Sequence, residues 1–162
     1  MEPKVAKISL TLPQTILDAI NNEAKEMNRE GLYHMQRIIE EHALNNGSMP
    51  GSTVQERLMF WRLVDEAIDK AVSIWESQGP SRDVTAQTFA ACEKDPDWLN
   101  RYETFVGGPA KAKGNPKKGL INREIGYRIR ARLSAQVEKI DGKTVNVKVT
   151  DSIIQSFSAF TV

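Results

Sequence analysis

At 162 residues, with 40% hydrophobic and 27% charged side chains, the chain has the composition of a soluble globular protein. A formal charge of +1 excludes a uniformly basic or acidic molecule, and a single cysteine, Cys92, excludes an intrachain disulfide. No apolar stretch approaches a membrane span and no signal-peptide run opens the chain, so the expectation is a cytoplasmic protein.

In chain order, the first patterned stretch is Lys7-Ile8-Ser9-Leu10-Thr11-Leu12-Pro13, where apolar and polar residues alternate. A period of two predicts a strand with one buried face. Its outward set, Lys7, Ser9 and Thr11, suits hydrogen bonding to base edges. Pro13 stops the strand and opens a helix, in which Ile16, Leu17, Ile20, Ala24 and Met27 recur at helical spacing. A second helical series runs through Leu32, Met35, Ile38, Ile39 and Ala43. About 40 residues are too few for a monomeric core, and a lone strand lacks a partner. The remedy expected is a second copy of the chain, its strand paired antiparallel with the first.

K-I-S-L-T-L-P, the helix ending A-K-E-M-N, and I-I-E-E-H-A resemble the ribbon-helix-helix family of DNA-binding proteins. The resemblance covers Lys4 to about Asn46 and implies a homodimer whose paired strands lie in the major groove. On it, Lys7, Ser9 and Thr11 become the base contacts. The family's Ser or Thr cap on the second helix is absent, with Asn28 the candidate substitute. Lys4, Asn28 and Arg29 are candidate phosphate contacts. Against this, residues 1–46 hold five cations and seven anions, a poor balance for a free-standing DNA binder.

Residues 46–52 (N-G-S-M-P-G-S) read as turn formers, so residues 47–52 are expected to link the N-terminal unit, 1–46, to a second domain, 53–162. Thr53 with Glu56 forms a capping box before a long helix from Val54 to Ser77. Its wide stripe, including Phe60, Trp61, Leu63, Val64, Ala67 and Ile68, predicts burial over much of its surface. Gly79-Pro80 ends it. Shorter helices follow over Thr85–Lys94 and Asp97–Phe105, with Cys92 expected as a buried, inert thiol. Residues 107–119 form an irregular Gly-, Pro- and Lys-rich loop whose Lys111, Lys113, Lys117 and Lys118 are candidate phosphate contacts or a solvated hinge. Gly114 and Gly119 have a P-loop's interval but not its Lys and hydroxyl, which excludes a nucleotidase. A helix over Leu120–Ala135 buries Ile121, Ile125, Ile129 and Leu133 and spreads Arg123, Arg128, Arg130 and Arg132 elsewhere; Arg123 is a further candidate phosphate contact. Gln136–Val149 predicts a hairpin turning at Asp141-Gly142. Residues 152–162 fit helix or strand.

Charge divides along the chain: residues 1–100 carry 10 cations and 16 anions, residues 101–162 carry 12 and 5. That asymmetry points to a polyanion at the basic end. The order basic helix then hairpin, over residues 120–149, also resembles that of a recognition helix and wing in winged-helix DNA binders, which makes this segment a candidate second DNA contact. His34 and His42 lie eight apart, not the four of a helical zinc pair, and no metal is expected. No nucleophile or dinucleotide motif occurs, so neither an enzyme nor a cofactor is expected. The expected fold is mainly α with minor β: an N-terminal ribbon-helix-helix unit and a mostly helical domain ending in a hairpin. The expected function is sequence-specific binding of double-stranded DNA as a homodimer, a transcriptional repressor or autoregulator. The competing expectation is a protein-interaction module in which the N-terminal unit only dimerises.

Overall fold

A computed structural model describes residues 7–47 and 49–161. Six helices occur among them: α1 (Gln14–Glu26), α2 (Gly31–Asn45), α3 (Gly51–Gln78), α4 (Val84–Glu93), α5 (Pro96–Val106) and α6 (Pro116–Arg132). Four short strands follow: β1 (Lys139–Ile140), β2 (Lys143–Thr144), β3 (Asn146–Lys148) and β4 (Ser156–Ser158).

The axis of the molecule is α3, whose 28 residues make a rod of roughly 42 Å at the usual helical rise. Its apolar residues recur on two adjoining stripes, and Leu63, Val64, Ala67 and Ala71 are fully buried. Helices α4, α5 and α6 pack around it. The Trp98 indole of α5 donates its N–H to the Leu63 carbonyl at 3.1 Å, which satisfies a buried donor while the ring stacks on Tyr102. From α6, Ile121, Ile125 and Ile129 meet α3 on a four-residue spacing and lose all exposure. Pro50 stands at the start of α3 where Thr53 was expected, and no side chain caps that end.

The fold expected for the N-terminus is corrected. Residues 7–13 form no strand; among the described residues every strand lies in the C-terminal part, where β1 pairs with β2 and β3 with β4, both antiparallel. A strand needs a neighbour for its backbone N–H and C=O groups, and no segment offers residues 7–13 an edge. Alternation alone therefore does not organise this stretch, and Ile8, Leu10 and Leu12 stay 77%, 58% and 36% exposed. The helices that follow are docked through side chains, with Tyr33 of α2 buried against Trp61 of α3 at a ring separation of 5.4 Å.

The Asp141-Gly142 turn does form, with φ of 50° and 75°. Both central residues are left-handed, as a two-residue turn matching strand twist requires. The hairpin it closes is only β1–β2; the chain then continues into β3, which takes β4 as partner with Val147 opposite Phe157. Residues 156–158 are thus a strand, and Ile153, Ile154, Phe157 and Phe160 turn inward to cover the core beside Phe89.

Candidate nucleic-acid interface

One face of α6 is buried by isoleucines; the face turned toward β3, β4 and α4 is not. Along it stand Lys118, Asn122, Gly126 and Arg130, with Gly119, Arg123 and Tyr127 beside them at the same four-residue interval. Three cavities lie along this face. The first, about 240 Å³, has Lys118, Gly119, Asn122 and Gln155 on its walls. The middle one, about 390 Å³, shares Asn122 and Ser156 with it and adds Arg123, Tyr127, Arg130 and Asn146. The third, about 410 Å³, shares Tyr127 and Arg130 and ends at Lys139. Shared linings make them one groove, roughly 24 Å from residue 118 to residue 134 at the helical rise.

Glycine costs about 1 kcal/mol against alanine inside a helix. A side-chain carbon built on Gly119 or Gly126 would meet nothing within 4 Å, so these glycines keep the groove open over α6. Asn115 anchors the helix start: its side chain accepts from the Lys118 N–H at 3.2 Å and donates to the Val106 carbonyl at 2.8 Å. On the far wall, Ser158 and Asn146 join across the β3–β4 ladder at 3.1 Å.

The electrostatics are one-sided. Among the described residues no Asp or Glu lines any of the three cavities. Arg123, Arg130 and Lys139 are exposed and make no ion pair among the described residues. Lys118 is 6% exposed, with its ammonium on the Ala112 carbonyl at 2.8 Å and no carboxylate within ion-pair distance. Burial pulls its pKa below the ordinary lysine value, only partly offset by the more distant Glu93. Tyr127, 49% exposed, stands between the middle and third cavities with the Arg130 guanidinium 5.5 Å from its ring centre.

The residues expected at a site from sequence fare differently. Lys4 lies outside the described residues. Lys7, Ser9 and Thr11 are exposed in the extended segment before α1, without the paired strand that would fix their spacing. Asn28 is left-handed at φ 53° and does not cap α2. It accepts from Arg132 at 3.0 Å and donates to Asp69 at 3.3 Å. The cap is Glu30, whose carboxylate accepts from the N–H groups of Leu32 and Tyr33 at 3.0 and 3.2 Å. A protein carboxylate thus occupies the position where the resemblance implied a phosphate. Three expected cations are already paired: Arg29 with Asp65 at 2.6 Å, Lys111 with Glu93 at 2.8 Å, and Lys117 with Glu56 at 2.5 Å. Lys113 is exposed and does not itself line the first cavity, although its neighbours Ala112 and Gly114 do. Of the expected phosphate contacts, Lys118 and Arg123 are the two that the groove brings together.

Sequence reasoning takes the segment 120–149 as a candidate second DNA contact without singling out Asn122, Tyr127, Arg130 and Lys139. The available signal was two glycines inside a helical pattern, in register with Arg123, Tyr127 and Arg130 at intervals of three and four. The thiol of Cys92 is fully buried, its pKa pushed up to about 12 by loss of solvent, which leaves no thiolate for chemistry. Among the described residues no His, Cys, Asp and Glu group could hold a metal, and no helix is long and apolar enough to cross a membrane. No family model, curated protein or solved structure matches the chain.

Proposed function

We propose that this protein is a cytoplasmic, self-associating nucleic-acid-binding protein that engages DNA through the groove along α6 and regulates transcription by doing so. The observation that carries the reading is the run of Lys118, Arg123, Arg130 and Lys139 along a groove free of carboxylates. Arg123, Arg130 and Lys139, which make no ion pair among the described residues, keep their charge for phosphates and gain affinity by releasing the condensed counterions of the polyanion. Concave walls focus that field further. Lys143 and Lys148, both exposed on the strands next to the groove, extend it.

Self-association draws its support from Ile8, Leu10, Leu12 and Ile16, four exposed apolar side chains within nine residues. Apolar surface grouped in this way favours a partner over water. Sedimentation at micromolar concentration tests it: Leu10→Lys is expected to shift the protein toward monomer.

The main test is fluorescence anisotropy with labelled DNA across a salt series. Replacing Arg123, Arg130 and Lys139 together with Gln is expected to weaken binding at least tenfold and to lower the salt slope by about three. Unchanged affinity and slope would refute the reading. Replacing Lys111 and Lys117, whose charges are spent on carboxylates, is expected to leave both nearly unchanged.

A further inference from the structure

We infer that the groove along α6 holds one nucleic-acid strand rather than a duplex, with a base stacked on Tyr127. This rests on the nucleic-acid reading above and specifies its ligand.

Depth is the first argument. Lys118 is 6% exposed on the wall of the first cavity, and its ammonium, held on the Ala112 carbonyl at 2.8 Å, meets a phosphate only from a chain that enters that cavity. A duplex is read by protein elements that protrude into its grooves, about 12 Å and 6 Å wide. Here the protein supplies the concave surface, and a rod lying across its rims would leave Lys118 beneath it. The cavities of about 390 and 410 Å³ fall in the range of small-ligand sites and that of about 240 Å³ is smaller still, so none has the room of a helix of DNA.

The aromatic is the second. Tyr127 is 49% exposed and forms part of the wall of both the middle and third cavities. A ring at such a partition can take a base against it, whereas the base faces of a duplex are already stacked on one another. Arg128 and Arg130, with guanidinium carbons 5.2 and 5.5 Å from the ring centre, both stand over this ring, so a base joins the same platform at the ring surface they leave open.

Donor polarity is the third. The Asn122 carbonyl oxygen accepts from the Tyr102 hydroxyl at 2.7 Å, and that of Asn146 from Ser158 at 3.1 Å. Both amides therefore keep their N–H groups for the groove, where Asn122, Arg123, Asn146 and Arg130 all donate. Phosphate oxygens and the carbonyl and ring-nitrogen acceptors of bases match that set. The arrangement is a basic channel with a stacking platform, the combination by which single strands are held without regard to sequence.

The test uses the full chain and three labelled probes of about twelve nucleotides, oligo(dT), oligo(rU) and a mixed-sequence duplex, at about 50 mM salt. The expected result is binding of oligo(dT) at least tenfold tighter than the duplex and no weaker than oligo(rU); oligo(rU) bound more tightly than oligo(dT) would overturn the DNA reading on which the inference rests. Tyr127→Leu is expected to lose roughly tenfold on oligo(dT) and under twofold on the duplex, and Tyr127→Phe to restore the wild-type value, with melting curves showing each variant folded. Duplex bound as tightly as the single strands would overturn the inference and leave the nucleic-acid reading standing. So would a Tyr127→Leu protein that binds as wild type or loses equally on all probes. No binding of any probe would overturn both.

Discussion

The two polar flanks of α6 carry the same residue types and behave in opposite ways. Toward α2 and α3, Arg128 is 9% exposed, bonded to Glu124 at 2.7 Å and Gln36 at 3.2 Å, with the Tyr33 ring 4.2 Å from its guanidinium. Beside it, Asp65 accepts from Arg29 and from the Tyr33 hydroxyl, each at 2.6 Å. Toward β3 and β4, Arg123 and Arg130 are exposed and meet no carboxylate. One flank spends its charge on folding and the other keeps it. Counting arginines along a sequence cannot separate the two; asking which have partners can.

The largest break in this contrast is expected from Asp65→Ala. Removing it strips Arg29 and Tyr33 of their common acceptor and leaves a guanidinium in a largely buried site, which costs about 3 kcal/mol. Urea unfolding would measure it, and a loss under about 1 kcal/mol would mean that water compensates the network. Next is Tyr33→Phe, which removes a hydroxyl bonded to a carboxylate and is expected to cost about 2 kcal/mol at neutral pH. Burial and the Asp65 charge hold this phenol well above the ordinary tyrosine range. A raised folded pKa contributes stability that is complete below the unfolded value near 10 and is lost as pH climbs beyond it. The gap between wild type and Tyr33→Phe should therefore narrow above about pH 10.

On the groove flank the signs reverse. Gly119→Ala and Gly126→Ala meet open space and improve helix propensity, so each is expected to raise stability by about 1 kcal/mol. A larger side chain at position 126, as in Gly126→Leu, should keep that gain while blocking nucleic acid, a separation visible by comparing melting with anisotropy. The smallest effect is expected from Arg123→Gln with Arg130→Gln, within about 0.5 kcal/mol of wild-type stability despite lost binding. If that pair proved as destabilising as Asp65→Ala, the two flanks would not differ in kind.

How much of this was legible beforehand depended on the range of the interaction involved. The stripe of α3, the isoleucine row of α6 and the Asp141-Gly142 turn follow from residues within a few positions of one another, and local physics suffices to form them. The strand expected over residues 7–13 had equally clear local alternation but required a partner, and alternation does not supply one. The groove was hidden for a related reason. Its second wall exists because Ser156–Ser158 pairs with Asn146–Lys148, a match set by tertiary packing around Phe157. Pairing of cations was likewise invisible: Lys117 finds Glu56 across 61 positions of sequence, and Arg128 finds Gln36 across 92.

The order of these parts along the chain has a consequence for synthesis. Helix α6 leaves the ribosome before the strand that walls its groove, and 26 residues separate Arg132 from Ser158. At about 5–20 residues per second that is a delay of roughly one to five seconds. During it Arg123 and Arg130 stand on an open helix, and Phe89 lacks the cover of Phe157 and Phe160. The second wall is thus absent from any nascent chain halted in that interval.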